Sequence, residues 1–555
     1  LTTGLPGSLE RGAWLTLLAA TVVTRLYELG HRVMSHDESL HVYYSWKLFA
    51  KGEYIHDPMM HGPVLYHFTA LMYFLFGDND FSARLFSAIL GILLVLSPLL
   101  LRKWLGPVGA LATGLMLFLS PTVMYYSRYI RHDIHVMLFT VMMIVGFIRY
   151  LDDRRGRWIV MAFAGGALNI TSAEMSYIHG FVIVVTLGLF LVAERLRPEG
   201  GRLAGLMGLS LGLGLLIFSS LAKHGGLAEI LPTSMGASLP NFTAAPAKNY
   251  VEAGFLFAGL TVIFSMIVAM LAGFRASDPA EEREALADDG QSRGTGLVEL
   301  LFPGQAPWFG LGGAALLAGG LFYADQKACS LLSASSTNRE CSIANGLLAA
   351  GVVILLYGIA SYFLAARTER PLAWSMGRAP VGAVALALVT FGVIYSLFFT
   401  TFFSTVGKTS LQGIDGFQRS IQYWLAQHDV VRGDQPWYYY LLMVPMYEFL
   451  PFSFGMAAVL VYWRHPALRS WRGDDAAPGR PPALAASLFI PLCIAWMLGA
   501  YWIFSWAGEK MPWLVVHMAV PLSFLAGRLI ADTVDCLDWQ ALRGRLYALS
   551  SLTTL

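Results

Sequence analysis

The residues of this chain that could do chemistry sit in short polar segments between long apolar runs. The first segment carries the adjacent acids of Ser35-His36-Asp37-Glu38-Ser39 and then His56-Asp57-Pro58-Met59-Met60-His61-Gly62-Pro63. A second carries Tyr125-Tyr126-Ser127-Arg128-Tyr129-Ile130-Arg131-His132-Asp133, and a third Thr171-Ser172-Ala173-Glu174. Later come Gly413-Ile414-Asp415-Gly416, Gln435-Pro436-Trp437-Tyr438-Tyr439-Tyr440 and Gly508-Glu509-Lys510-Met511-Pro512-Trp513. Carboxylates beside lipid-facing runs are costly, and ionisable groups at such depth point to function. Asp37, Glu38 and Asp133 are therefore the candidate proton-transferring acids. A helix cap beginning near Ser39 explains one acid of the first pair, but not Asp133 and Glu174. Arg128 and Arg131, spaced i,i+3, would share a helical face suited to gripping a phosphate at headgroup level. Ordinary headgroup anchoring is the competing use. Lys510 is a third cation for the same task.

His36, His56, His61, Glu174, Trp437, Glu509 and Trp513 are candidates for substrate contact, with interfacial aromatic belts the competing explanation for the tryptophans. Eight histidines lie between His31 and His135, yet their spacing matches no zinc pattern. No metal ligands are assigned. Carboxylate-held Mg2+ or Mn2+ beside a phosphate is chemically reasonable, and nothing in the pattern requires it.

The elements that must position these groups are membrane helices. Of 555 residues, 56% are hydrophobic and 13% charged, with mean hydropathy +0.57, a composition that belongs in a bilayer. No basic run beside exposed aromatics suggests a nucleic-acid surface. A crossing helix needs about 20 apolar residues, and such runs fall near 12–29, 82–101, 107–124, 134–150, 157–171, 177–194, 203–222 and 252–273. A second series falls near 306–323, 343–366, 380–402, 437–463, 484–504 and 512–530. The fold class is thus all-α, a polytopic integral membrane protein with about 13–14 transmembrane helices. The first run, Ala13 to Leu29, reads as a retained span with no cleavage site after it. Pro63 to Phe76 is too short to cross, so it is predicted to lie at the interface.

Loop charge orients the chain. With 63–76 not crossing, Arg102/Lys103, Arg154/Arg155/Arg157, Arg195/Arg197/Arg202, Arg275 to Arg293, Arg367/Arg370/Arg378 and Arg464 to Arg480 share the cytoplasmic side. The polar segments then gather on the extracytoplasmic face of a cell membrane. The organisation expected is an N-terminal bundle over 1–273, a cytoplasmic linker over 274–300, and a C-terminal bundle over 301–555 containing the external loop 403–436. Cys329 and Cys341 share an external loop, where a local disulfide is expected, with two free thiols the alternative.

The acids after the first helix, the Pro-led interfacial helix, Gly77-Asp78-Asn79-Asp80-Phe81-Ser82-Ala83-Arg84-Leu85 and Arg131-His132-Asp133 together resemble the C-type glycosyltransferase (GT-C) fold. Within it the likeness is to protein O-mannosyltransferases and aminoarabinose transferases, over roughly residues 10–195. Across nearly the whole chain, the His36, His56, Gln435 and Gly508 motifs are similar to a little-characterised bacterial and archaeal family, some of whose members are labelled flippase activity-associated. The resemblance implies a polyprenyl-phosphate sugar donor entering from the bilayer and a protein, lipid or glycan acceptor. It implies Asp37 as catalytic acid of the first loop, Glu38 its neighbour and Asp133 the second acidic position. Ala173 stands where related sequences place a Lys, so no cation is expected beside Glu174. A single inverting displacement is the expected reaction, with Asp37 as base and Arg128, Arg131 and Lys510 at the leaving phosphate. A lipid-linked sugar flippase, its accessory protein, or a non-catalytic subunit of a membrane complex remain the alternatives.

Overall fold

The computed structural model describes residues 7–195, 371–403, 435–464, 484–507 and 509–537, with positions 261, 262, 354, 420 and 423 besides. The expected spans at 203–222, 252–273, 306–323 and 343–366, the linker 274–300, the Gly413 to Gly416 segment and the Cys329–Cys341 pair lie outside the described residues. All regular structure described is helical. The N-terminal series is α1 (Gly7–Leu26), α2 (His36–Lys51), α3 (Val64–Phe76), α4 (Asp80–Leu96), α5 (Arg102–Leu119), α6 (Pro121–Ser127), α7 (Asp133–Asp153), α8 (Gly156–Ile170) and α9 (Met175–Arg195). After it come α10 (Pro371–Gly377), α11 (Val381–Phe399), α12 (Tyr439–Tyr447), α13 (Phe449–Arg464), α14 (Leu484–Trp506) and α15 (Val516–Cys536).

Among the described residues, five helical segments are long and apolar enough to cross a membrane: Asp80–Leu119, Asp133–Asp153, Val381–Phe399, Leu488–Trp506 and Pro512–Cys536. The pair α12 and α13 is long and apolar enough only together and is bent by 113°, the shape of a broken span or a re-entrant loop. The chain is therefore a polytopic membrane protein. α3 has 13 residues, about 20 Å at the helical rise and well short of the hydrocarbon thickness. It packs between α2 and α4 and leaves Leu71, Phe74, Leu75 and Phe76 exposed.

The two halves of the chain share one core, in which α15 is central and packs against α5, α7, α13 and α14. Small residues set the α5–α15 crossing. A Cβ on Gly527 would lie 2.0 Å from Thr113 Oγ1 and 2.6 Å from the Gly109 carbonyl, so only glycine lets the α5 and α15 backbones approach this far. The start of α15 meets the start of α7, where His517 Nε2 lies 3.1 Å from Asp133 Oδ1. At the far end of α7, Lys103, one of the predicted cytoplasmic groups, pairs with Asp152 at 2.6 Å, and Arg149 Nη2 donates to the Leu100 carbonyl at 2.7 Å.

Candidate active site

The first polar segment folds around a helix start. Ser35 is the N-cap of α2; its hydroxyl accepts from the Glu38 amide, while the Glu38 carboxylate accepts from the Ser35 amide at 3.1 Å. This reciprocal capping box satisfies two amides that a helix start leaves open. It also turns Glu38 inward, where Arg84 donates to both carboxylate oxygens at 2.9 and 3.1 Å and Arg32 at 2.9 and 2.8 Å. The Ile130 amide adds a contact of 3.3 Å. Glu38 and Arg84 are both fully buried, and Arg84 Nη1 also donates to the carbonyls of Leu29 and Arg32. Glu38 was expected as a catalytic neighbour of Asp37. Its acceptor capacity is instead spent on joining the first loop to α4 and the second loop.

Asp37, one position earlier on α2, points elsewhere. Its Oδ2 accepts from Arg131 Nη1 at 2.6 Å, and its side chain is 36% exposed. Among the described residues Oδ1 has no partner. Arg131 is nearly buried, donates through Nε to Asp133 Oδ2 at 3.2 Å, and lies over the Trp513 ring, 3.6 Å from its centroid. One guanidinium thus holds two carboxylates from two loops against an aromatic face from the Lys510 segment.

Arg131 and Arg128 do not share the helical face that their i,i+3 spacing predicted, because α6 stops at Ser127 and α7 starts only at Asp133. Over the intervening turn the two side chains part. Arg128 reaches the end of α1, donating to the Thr24 carbonyl at 2.5 Å and the Glu28 carbonyl at 3.3 Å, a cationic C-cap. It lines a cavity of about 490 Å³ with Thr24, Leu29, Arg32, Pro121, Met124 and Tyr125. Burial first, then Arg32 and Arg84, hold its pKa below the ordinary arginine range. α6 itself is held from the other half of the chain. Glu448, at the α12–α13 bend, accepts from the Ser120 hydroxyl at 2.7 Å and the Thr122 amide at 3.0 Å.

The third segment is stitched to the first by main chain. The Gly62 and Val64 amides donate to the Ser172 and Thr171 carbonyls at 3.0 Å each. A Cβ on Gly62 would sit 2.2 Å from the Thr171 carbonyl oxygen, so the approach depends on glycine. His61, beside it, adopts φ 62°, ψ −158°, a sparsely populated conformation that a well-determined site sustains. Its Nδ1 lies 2.8 Å from Glu174 Oε2. The His132 ring stands between those of His61 and His41, 5.1 Å from each, and the Tyr66 hydroxyl bridges His41 Nδ1 and the Met60 carbonyl at 2.7 Å each. Burial, then the neighbouring histidines and Arg131, pushes the His132 pKa well down; burial, then Arg131 and His61, does the same for His41. Both rings are neutral near pH 7.

The two late motifs also meet. The Tyr440 hydroxyl donates to the Met511 carbonyl at 3.1 Å and accepts from its amide at 2.9 Å. Lys510 is buried, with Nζ 2.7 Å from the Ala507 carbonyl. The structure thus gathers Asp37, Arg131, Asp133 and Trp513 by direct contact, and brings His61 with Glu174 beside His132. Other expected residues lie apart from that contact set: His56 packs on Phe399 with Ser420 at 3.4 Å, Trp437 is exposed beside Tyr438, and His36 is exposed at the first position of α2. Glu509 is half-buried next to Lys510. Among the described residues, no three His, Cys, Asp or Glu side chains are grouped as metal ligands. Sequence reasoning missed Arg84, Glu448 and His517, whose Nε2 lies 3.1 Å from Asp133 Oδ1. The position of His517, one helical turn beyond Trp513, is the signal that could have found it.

Residues 60–221 match the family model described as dolichyl-phosphate-mannose-protein mannosyltransferase. The matched stretch includes His61, Arg84, Arg128, Arg131, Asp133 and Glu174, and it supports the GT-C likeness read from the motifs. No curated protein sequence matches the chain. Among solved structures, the chain is similar to the archaeal oligosaccharyltransferase AglB from Archaeoglobus fulgidus, in complex with an inhibitory peptide and a dolichol-phosphate. That likeness has 11% identity and a TM-score of 0.41, over 97% of this chain and 52% of the AglB chain. It is also similar to ArnT from Cupriavidus metallidurans bound to undecaprenyl phosphate, at 14% identity and a TM-score of 0.28, over 94% of this chain and 78% of the ArnT chain. This chain therefore spans about half the length of AglB.

Proposed function

We propose that this protein is a membrane glycosyltransferase that moves a sugar from a polyprenyl-phosphate donor to an acceptor hydroxyl or amide, with its site on the extracytoplasmic face of a cell membrane. The observation that carries the reading is Asp37: a partly exposed carboxylate with one oxygen fixed by Arg131 and the other open, at the rim of a gathered polar site. Such a group suits general-base work, in which the open oxygen takes the acceptor proton.

In the reaction proposed, the acceptor oxygen or nitrogen forms a bond to the anomeric carbon while its proton passes to Asp37 Oδ1. The bond from that carbon to the phosphate oxygen breaks, and its electron pair leaves with the polyprenyl phosphate. A single displacement inverts the anomeric centre. Arg131 acts by orienting Asp37 and Asp133, a different role from the phosphate grip that its spacing suggested. The phosphate is assigned instead to the cavity beside Arg128 and Arg32, whose apolar wall of Leu29, Pro121 and Met124 suits a prenyl chain. Arg32 connects that cavity to the Asp37 loop through its ion pair with Glu38, the residue next to Asp37. Lys510 is assigned to the same developing charge from the Trp513 side. Glu38 is assigned a positioning role. His61 and Glu174, as a polar pair in the gathered site, are assigned to acceptor or sugar hydroxyls.

The test is transfer by the purified protein in nanodiscs supplied with radiolabelled sugar on polyprenyl phosphate and a panel of peptide, lipid and glycan acceptors. The reading expects a product with inverted anomeric configuration. Retention would refute single displacement. No transfer to any acceptor, with labelled lipid equilibrating between the leaflets of vesicles, would replace the transferase by the flippase reading.

A further inference from the structure

A buried chain of hydrogen bonds runs away from the site into the bundle, and it uses residues that no step above employs. Asp133 Oδ1 lies 3.1 Å from His517 Nε2 on α15. His517 Nδ1 lies 2.8 Å from His179 Nε2 on α9, and His179 Nδ1 lies 2.8 Å from Trp496 Nε1 on α14. The two imidazole rings are nearly parallel, at 15°, and the Phe504 ring packs against both. Asp133, His179 and His517 are fully buried and Trp496 is 1% exposed.

The donor and acceptor roles along this chain follow from its far end. An indole N–H only donates, so His179 Nδ1 is the lone-pair nitrogen. Its proton is then on Nε2, which donates to His517 Nδ1. His517 in turn carries its proton on Nε2 and donates to Asp133. Every ring nitrogen is used once, so two neutral imidazoles are accommodated in an apolar bundle with no polar atom left over. Asp133 receives this N–H on Oδ1 and Arg131 Nε on Oδ2, two donors that demand a carboxylate acceptor.

We propose that His517, backed by His179 and Trp496, is a positioning residue: it fixes Asp133 as an ionised acceptor and, through Asp133, sets the angle at which Arg131 presents Asp37. This inference rests on the transferase reading for its kinetic consequence, but not for its hydrogen-bond order. A displacement of about 1 Å at a reacting group can cost ~10²-fold in rate.

The test combines kinetics with a spectroscopic readout that does not need activity. Histidine 15N spectra of the full-length protein in nanodiscs should show His179 and His517 as neutral Nε2–H tautomers, identified by their disappearance in H179Q and H517Q. W496F removes the donor to His179 Nδ1 and should move that nitrogen's resonance alone, because the Asp133 carboxylate, an acceptor only, keeps the His517 proton on Nε2. In turnover, H517A should lower kcat about 10²-fold with little change in donor KM. H517Q, whose amide nitrogen reaches as far as Nε2, should recover most of that loss, and H517N, whose amide is shorter, should not. A His517 proton on Nδ1 in the wild type overturns the proposal, as does an H517A variant that folds and turns over at the wild-type kcat. If the wild-type protein transfers no sugar, the transferase reading fails, and the tautomers decide this inference alone.

Discussion

Replacing Glu38 by Gln separates a structural role from a catalytic one. The change keeps the shape of the side chain but sets a neutral amide against two guanidiniums. Arg84 is fully buried, while the Arg32 side chain is 39% exposed, so most of the cost arises at Arg84. Leaving one partner of a buried ion pair uncompensated costs about 3–5 kcal/mol, against about 0–1 kcal/mol for an exposed pair. The amide also turns a donor toward the Ser35 amide or Arg84, which weakens the cap. E38Q and R84M should each lower unfolding stability in detergent micelles by several kcal/mol. The double variant should fall short of their sum by about 0.5–3 kcal/mol, the coupling expected of residues in contact. D37N, partly exposed and outside the capping box, should stay within about 1 kcal/mol of the wild type. The reasoning is refuted if E38Q unfolds like the wild type, or if E38Q and R84M are additive.

Three further outcomes follow from the geometry. G62A must push the third loop off the first, since its Cβ would meet the Thr171 carbonyl at 2.2 Å; a loss of about 1–3 kcal/mol and weaker protection of the 171–174 amides from hydrogen exchange should be measured. G527A should lower the melting temperature through the α5–α15 crossing, where its Cβ would lie 2.6 Å from the Gly109 carbonyl; an unchanged melting temperature would contradict the close approach. His41 and His132 have folded pKa values below the ordinary one because burial penalises their charged forms, so the unfolded chain binds more protons below about pH 6.5. Stability should be full above that pH and fall as pH drops beneath it, by up to about 1.4 kcal/mol per unit for each ring; H132F should flatten the slope seen by thermal unfolding from pH 7 to 5.

Much of the fold was legible because lipid imposes a simple code. The apolar runs 134–150 and 157–171 became Asp133–Asp153 and Gly156–Ile170, and the short run after Pro63 became the 13-residue helix Val64–Phe76. The polar segments were recognisable because carboxylates beside such runs stand out. Their partners were less so. The Ser35-to-Glu38 spacing is itself a capping-box pattern, but the arginine that claims Glu38 lies 46 positions away. Arg128 and Arg131 were read as neighbours on one helix, but both lie in the non-helical break 128–132 and point apart. His179 and His517 were hidden because a polar residue inside an apolar run shows no partner until helices are packed, and theirs is set by α15 crossing the centre.

The most direct test of the account is single-turnover transfer by D37N in nanodiscs, with donor affinity measured in parallel. The account predicts a rate about 10²–10⁴-fold below wild type, the usual worth of a general base, with donor affinity nearly unchanged because Arg128, Arg32 and Lys510 are intact. A wild-type rate in D37N would contradict the assignment of Asp37, and with it the proposed mechanism.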